Sequence, residues 1–266
     1  MGERMLEIVA ASLICLSTFG LLRDGMVGPG LRARRLIAIE GDRLILALLC
    51  VALAVLIFGP LAGGSMVLAV ALHEFGHIVA YRTAGHSDAR FRLLPLLGGG
   101  LQSDRLPAEQ DVSFFVLLMG AGLSIAPVVL TRLMADLLHD PAPELSYALY
   151  LFSVIAAAMN FFSLLPFWPL DGAKCLRHLA APFWPGSVRQ LSIAMAAAAF
   201  VAALAMQSVV LVLVALIGLQ GLSQATEQIA TQAPMARRRA ALAGAAYLAV
   251  GAAHLSAAWP LIHSIL

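Results

Sequence analysis

The stretch Val70-Ala71-Leu72-His73-Glu74-Phe75-Gly76-His77-Ile78-Val79-Ala80 places three ionisable side chains within five residues of an otherwise apolar run. The surrounding segment, 64 to 83, is long enough to cross a bilayer as a helix. Ionisable groups are costly there, so a function is the default reading. On a helix, His73 and His77 project from one face about one turn apart, and both imidazoles can reach one Zn²⁺. Glu74 stands beside them, placed to take a proton from a water at the metal. The bland alternative, side chains that merely pair inside a bundle, leaves costly polar groups in lipid without a role.

Working outward, the whole chain has the composition of a membrane protein. Its 266 residues are 61% hydrophobic and 12% charged, with a mean hydropathy of +0.90, which excludes a large water-soluble domain. The 22 glycines and the Ala-rich runs at 196 to 205 and 240 to 253 suit helices that pack closely. Cys15, Cys50 and Cys175 are odd in number and far apart, and read as reduced packing residues.

Eight apolar runs are candidate spans: 5 to 22, 44 to 61, 64 to 83, 112 to 137, 146 to 166, 190 to 206, 207 to 225 and 240 to 259. The expected fold is therefore an all-α polytopic transmembrane bundle. Gly59-Pro60 and Gln207-Ser208 are its weakest divisions, each allowing one broken helix or a re-entrant hairpin in place of two spans. If eight spans alternate, 15 of the 17 Lys and Arg residues fall on one side and only Arg4 and Arg132 on the other. Basic loops stay in the cytoplasm, so both termini are expected outside it. The net charge of +2 is then a signal of topology and calls for no nucleic acid. The chain divides into N-terminal spans with a basic loop (1 to 63), a core carrying the motifs (64 to 186) and C-terminal spans (187 to 266).

Two connections are unusual. Residues 89 to 103 are too short and glycine-broken to span, yet too apolar for a solvated loop, and a short membrane-associated hairpin is expected. Residues 166 to 186, with Pro166, Pro169, Pro182 and Pro185, should bend around a short helix. A hydrolytic zinc needs three protein ligands and an open position. Asp171, in Asn160-Phe161-Phe162-Ser163-Leu164-Leu165-Pro166-Phe167-Trp168-Pro169-Leu170-Asp171-Gly172, is the best third candidate. Read alone, it also suits an N-cap for a helix from Gly172.

His73-Glu74-Phe75-Gly76-His77, followed about ninety positions later by Leu164 to Gly172, resembles the site-2 protease family of intramembrane metalloproteases. Its second motif commonly reads Asn-Leu-Leu-Pro-x-x-Pro-Leu-Asp-Gly. Leu94-Pro95-Leu96-Leu97-Gly98-Gly99-Gly100 is similar to the family's hairpin after the zinc helix, and Met119-Gly120-Ala121-Gly122-Leu123-Ser124 to its small-residue motif in the next span. The resemblance covers about residues 64 to 180. It implies one Zn²⁺ per chain held by His73, His77 and Asp171, with Glu74 as general base. It also implies membrane-protein substrates cut within or beside a transmembrane segment, at an active site toward the cytoplasmic face of a bacterial inner membrane. Asn160 would touch substrate or oxyanion, and Gly98, Gly99 and Gly100 would let an extended substrate approach the hairpin. Ser163, Ala173 and Ala121 depart from the family's usual Asn, Gly and Pro, and none of them is a ligand.

The rival reading is a zinc-binding membrane protein that does not cleave, either a pseudoprotease or a transporter. A transporter would repeat its polar groups in two halves, whereas here they cluster once. His86, His139, His178, His254 and His263 read as interfacial or packing residues, with His178, near Asp171, the one to watch. Trp168, Trp184 and Trp259 read as interface anchors.

Overall fold

The computed structural model describes residues 2–27, 37–38, 41–92, 103–220, 222 and 229–265. Helices dominate them: α1 (Gly2–Val27), α2 (Gly41–Thr83), α3 (Gln110–Leu137), α4 (Pro143–Ser163), α5 (Asp171–Ala180), α6 (Val188–Ala205), α7 (Val209–Gln220) and α8 (Arg237–Ile265). The extended pairing is slight. Two-residue strands β1 (Ile37–Ala38) and β2 (Phe91–Arg92) lie parallel, and Glu109 forms a single bridge with Ala233.

Among the described residues, six helices are long and apolar enough to cross a bilayer, which fits a multi-pass membrane protein. Their outer faces carry exposed Leu56, Val209 and Leu248, among many large apolar side chains, a surface suited to lipid.

Among the described residues, two pairs of the eight apolar runs do not give two such helices each. The runs 44 to 61 and 64 to 83 both fall within α2, which breaks at Gly59. Gly59 has φ 80 and ψ 167, a conformation open to glycine, and Pro60 has no N–H to continue the ladder. The break is a reversal, because a Cβ on Gly63 would stand 2.5 Å from the Ala54 carbonyl oxygen. In an unbroken helix, residues nine apart are roughly 13 Å apart. The runs 190 to 206 and 207 to 225 separate at Gln207, φ 51, into α6 and α7, and the described part of the second run, α7, covers 12 residues and is not among the six.

The described flanks of several basic connections gather at one end of the bundle. A Cβ on Gly25, near the end of α1, would meet Val79 Cγ1 at 2.8 Å near the end of α2. β1 pairs with β2 just past α2. Residues 107–113 bind the segment before α8: Gln110 N donates to Ala233 O at 3.0 Å, and Gln232 Nε2 to Pro107 O at 2.9 Å. Arg239 Nη1 meets Asp111 Oδ2 at 2.5 Å. At the return of α7, Trp168 Nε1 donates to Gly218 O at 2.6 Å.

Of the expected 89–103 hairpin, Phe91–Arg92 is extended, while 93–102, with Gly98, Gly99 and Gly100, lies outside the described residues. Its flanks are tied together by Ser103 Oγ, 2.8 Å from Asp88 Oδ2, and His86 Nδ1, 3.2 Å from Ser103 Oγ. Bonds from Ser103 and the Asp104 amide hold the Asp88 carboxyl below its usual range against the opposing effect of burial.

Small residues let the inner helices approach closely. Ala69 of α2, Val128 of α3, Phe152, Ala156 and Ala157 of α4, and Ala258 of α8 form one buried cluster. Where α2 crosses α3, a Cβ on Gly76 would lie 2.2 Å from Met119 O, so the crossing requires glycine there.

Candidate metal centre

The second limb of α2 presents His73 and His77 from one face into the interior, where they are 7% and 5% exposed. Asp171 reaches them from the first turn of α5, across the proline-bent stretch that follows α4. Its Oδ2 lies 3.0 Å from His73 Nε2 and 3.3 Å from His77 Nε2, and the two Nε2 atoms are 3.1 Å apart. Among the described residues, this trio is the convergent group of potential metal ligands. The N-cap reading of Asp171 does not hold. Leu170 occupies the cap position without a side-chain bond, and the Asp171 carboxylate turns to the histidines and Lys174.

Hydrogen bonds behind the imidazoles fix what they present. His77 Nδ1 lies 2.8 Å from the Val116 carbonyl oxygen, an obligate acceptor, so Nδ1 carries the proton. His73 Nδ1 lies 2.8 Å from Asn160 Oδ1, and Asn160 Nδ2 donates to Ala156 O at 2.8 Å, which orients the amide with its oxygen toward the ring. Both Nε2 atoms therefore present lone pairs to the same point as Asp171 Oδ2. A proton can satisfy one edge of this triangle, whereas a cation satisfies all three corners. Edges of 3.0 to 3.3 Å are close to those of a tetrahedron with bonds of about 2.0 to 2.1 Å, the geometry of zinc on N and O ligands. The donor set thus fits a tetrahedral divalent ion.

Lys174, one helical turn beyond Asp171, binds the other carboxylate oxygen, Oδ1, at 3.0 Å. Burial disfavours the charged carboxylate, but the Lys174 ammonium is the foremost group opposing it, and Asp171 lies well below the usual carboxylate range. Asp171 therefore stays an anionic ligand at neutral pH.

Glycines shape the space around the group. A Cβ on Gly120 of α3 would stand 2.6 Å from His77 Nε2 and 2.8 Å from His73 Cε1. A Cβ on Gly172 would fall 2.0 Å from the Leu164 carbonyl oxygen, so the turn that delivers Asp171 closes only with glycine there. These contacts give a physical reason for the small-residue motif and for the residue after Asp171.

Glu74 is half-buried beside His73. Asn160 is fully buried with both amide groups engaged, which makes orienting His73 its visible task. Trp168 is no interface anchor: it is 4% exposed, donates to Gly218 O, and carries the Arg177 guanidinium 5.0 Å from its ring centroid. Trp184 and Trp259 remain exposed. His178 is buried on α5 outside the converging group, and burial with neighbouring Arg177 pushes its pKa down to about 3.

Sequence reasoning missed Lys174 and Val116. The three-residue step from Asp171 could have flagged Lys174. A backbone carbonyl such as that of Val116 leaves no mark in a sequence. Comparison with known protein families, with curated proteins and with solved structures finds no match for this chain.

Proposed function

We propose that this chain is an intramembrane zinc metalloprotease that hydrolyses peptide bonds within or beside transmembrane segments of other membrane proteins. The observation that carries the reading is the triangle of lone pairs from His73, His77 and Asp171, with both imidazoles fixed from behind and standing on the helix that also bears Glu74. A zinc ion held by these three residues would supply Lewis acidity for a carbonyl and a water. Glu74 would act as general base toward the attacking water and then as general acid toward the leaving amine. Asn160 and Val116 hold the imidazoles in the required tautomer, and Lys174 keeps Asp171 ionised with one oxygen free for the metal.

The finer topology belongs to the same proposal. Reversals at Gly59 and Gln207 support eight crossings, and the basic end of the bundle faces the cytoplasm of a bacterial inner membrane. Asp171 approaches the histidines from that end. A substrate must leave its helix before attack, because helical carbonyls are already bonded. The extended backbone at Phe91–Arg92 is where strand addition would begin.

The test is cleavage of a single-span membrane-protein reporter by the purified protein in liposomes, with Glu74→Gln beside the wild type. Cleavage that is lost in Glu74→Gln while its metal content matches the wild type supports the proposal. Metal binding without cleavage of any reporter favours the non-proteolytic alternative, and cleavage by Glu74→Gln at the wild-type rate sinks the mechanism.

A further inference from the structure

Helix α8 supplies no ligand, yet it sends two polar side chains into the interior from one face. Tyr247 and His254 are seven residues apart, two helical turns. His254, midway along an apolar span, is 1% exposed, and its Nε2 donates to the Ala121 carbonyl oxygen at 2.8 Å. The Tyr247 hydroxyl donates to the Leu164 carbonyl oxygen. An ionisable group at mid-span is expensive enough that its partner is informative.

Both partners are backbone atoms that frame the metal centre. Ala121 follows Gly120, whose α-carbon packs against both imidazoles. Leu164 O is the atom against which Gly172 closes, and Gly172 follows Asp171. One face of α8 therefore grips the wall behind the histidines and the turn that carries the carboxylate. Below these grips, Ala258 packs with Ala156, whose carbonyl holds the Asn160 amide.

We propose that Tyr247 and His254 are positioning residues of the metal centre, setting the distance between the α2 histidines and Asp171 through the Ala121 and Leu164 carbonyls. The proposal rests on the reading of His73, His77 and Asp171 as a metal site. It assigns the last helix a task inside the site and makes the centre depend on five helical segments: α2, α3, α4, α5 and α8. Partners behind the ligands tune affinity by holding ligand geometry, and their loss costs about 10-fold to 100-fold.

The experiment uses the full-length protein in detergent, with Zn²⁺ affinity read by competition against a chromophoric chelator and geometry read from the visible spectrum of the Co²⁺ form. Tyr247→Phe and His254→Leu should each weaken Zn²⁺ binding on the order of 10-fold and alter the Co²⁺ bands. His254→Gln, whose amide can donate to Ala121 O, should restore both, whereas the shorter His254→Asn should not. If His254→Leu does not fold, the Gln and Asn pair together with Tyr247→Phe carries the test. Unchanged affinity and spectrum in folded Tyr247→Phe and His254→Asn overturn the proposal, as does a loss that Gln fails to restore. A wild type that binds neither ion refutes the metal reading itself, a result distinct from equal binding by wild type and variants.

Discussion

Gly120 and His77 meet so closely that a Cβ on Gly120 would stand 2.6 Å from Nε2, the nitrogen that faces Asp171. The neighbour is a ring held from behind by Val116 O, so it has little freedom to retreat. Gly120→Ala should displace the imidazole, destabilise the protein by about 1–3 kcal/mol and lower metal content. Gly122→Ala is the control, because its Cβ would meet only the flexible Met119 side chain, at 3.1 Å. Metal analysis and thermal melts of the two variants check this, and equal behaviour would contradict the crossing geometry.

Asp171 should prove indispensable to the metal where other acids are not. Asp171→Ala and the double variant His73→Ala, His77→Ala should lose the ion, since each removes corners of the triangle. Asp104→Ala and Asp111→Ala should keep it, because those carboxylates lie in ion pairs with Arg90 and Arg239. Metal stoichiometry of the purified variants decides the matter, and an Asp171→Ala protein with full metal content would remove it from the site.

Loops at 24–42, 84–110 and 226–239 should label from the cytoplasm, and 138–145 from the opposite side. The contacts of Gly25 with Val79, and of Ala233 with Ala108 and Gln110, bring these three connections to one end. Cysteine-accessibility labelling in intact cells and inverted vesicles reads the sidedness. Opposite labelling of 24–42 and 226–239 would contradict the reversal at Gly59 or at Gln207.

His178 makes stability fall with acid. Its folded pKa of about 3 lies below the ordinary 6.5, so the unfolded chain binds the proton more readily. The contribution is fully present above pH 6.5 and is lost as pH falls toward 3. Between pH 6.5 and 5 the loss is about 2 kcal/mol. Thermal midpoints in detergent should therefore drop more steeply for wild type than for His178→Gln over that interval. Acid release of the metal affects both proteins and cancels in the comparison, and parallel curves would show that His178 titrates normally.

Much of this protein was legible in its sequence because lipid imposes simple rules. Apolar runs of bilayer length give helices, basic loops share an end, and paired histidines four apart on an apolar helix signal a metal. Asp171 could be named because prolines release its segment from the helix and let it return toward α2. Gly59-Pro60 and Gln207-Ser208 stood out as weak divisions for the same local reasons that break the helices at Gly59 and Gln207.

Tertiary structure alone decided the rest. Whether Asn160 meets substrate or orients His73 depends on which face of α4 turns to α2. That the Val116 carbonyl fixes His77 depends on where α3 crosses. Trp168 reads as an interface anchor because tryptophan gathers at membrane–water boundaries, yet its indole N–H is buried against Gly218 of α7. The part played by α8 was illegible, because Tyr247 and His254 act on backbone carbonyls more than eighty residues away in sequence. Local periodicity shows that a helix exists and which residues share a face; only packing determines what that face meets.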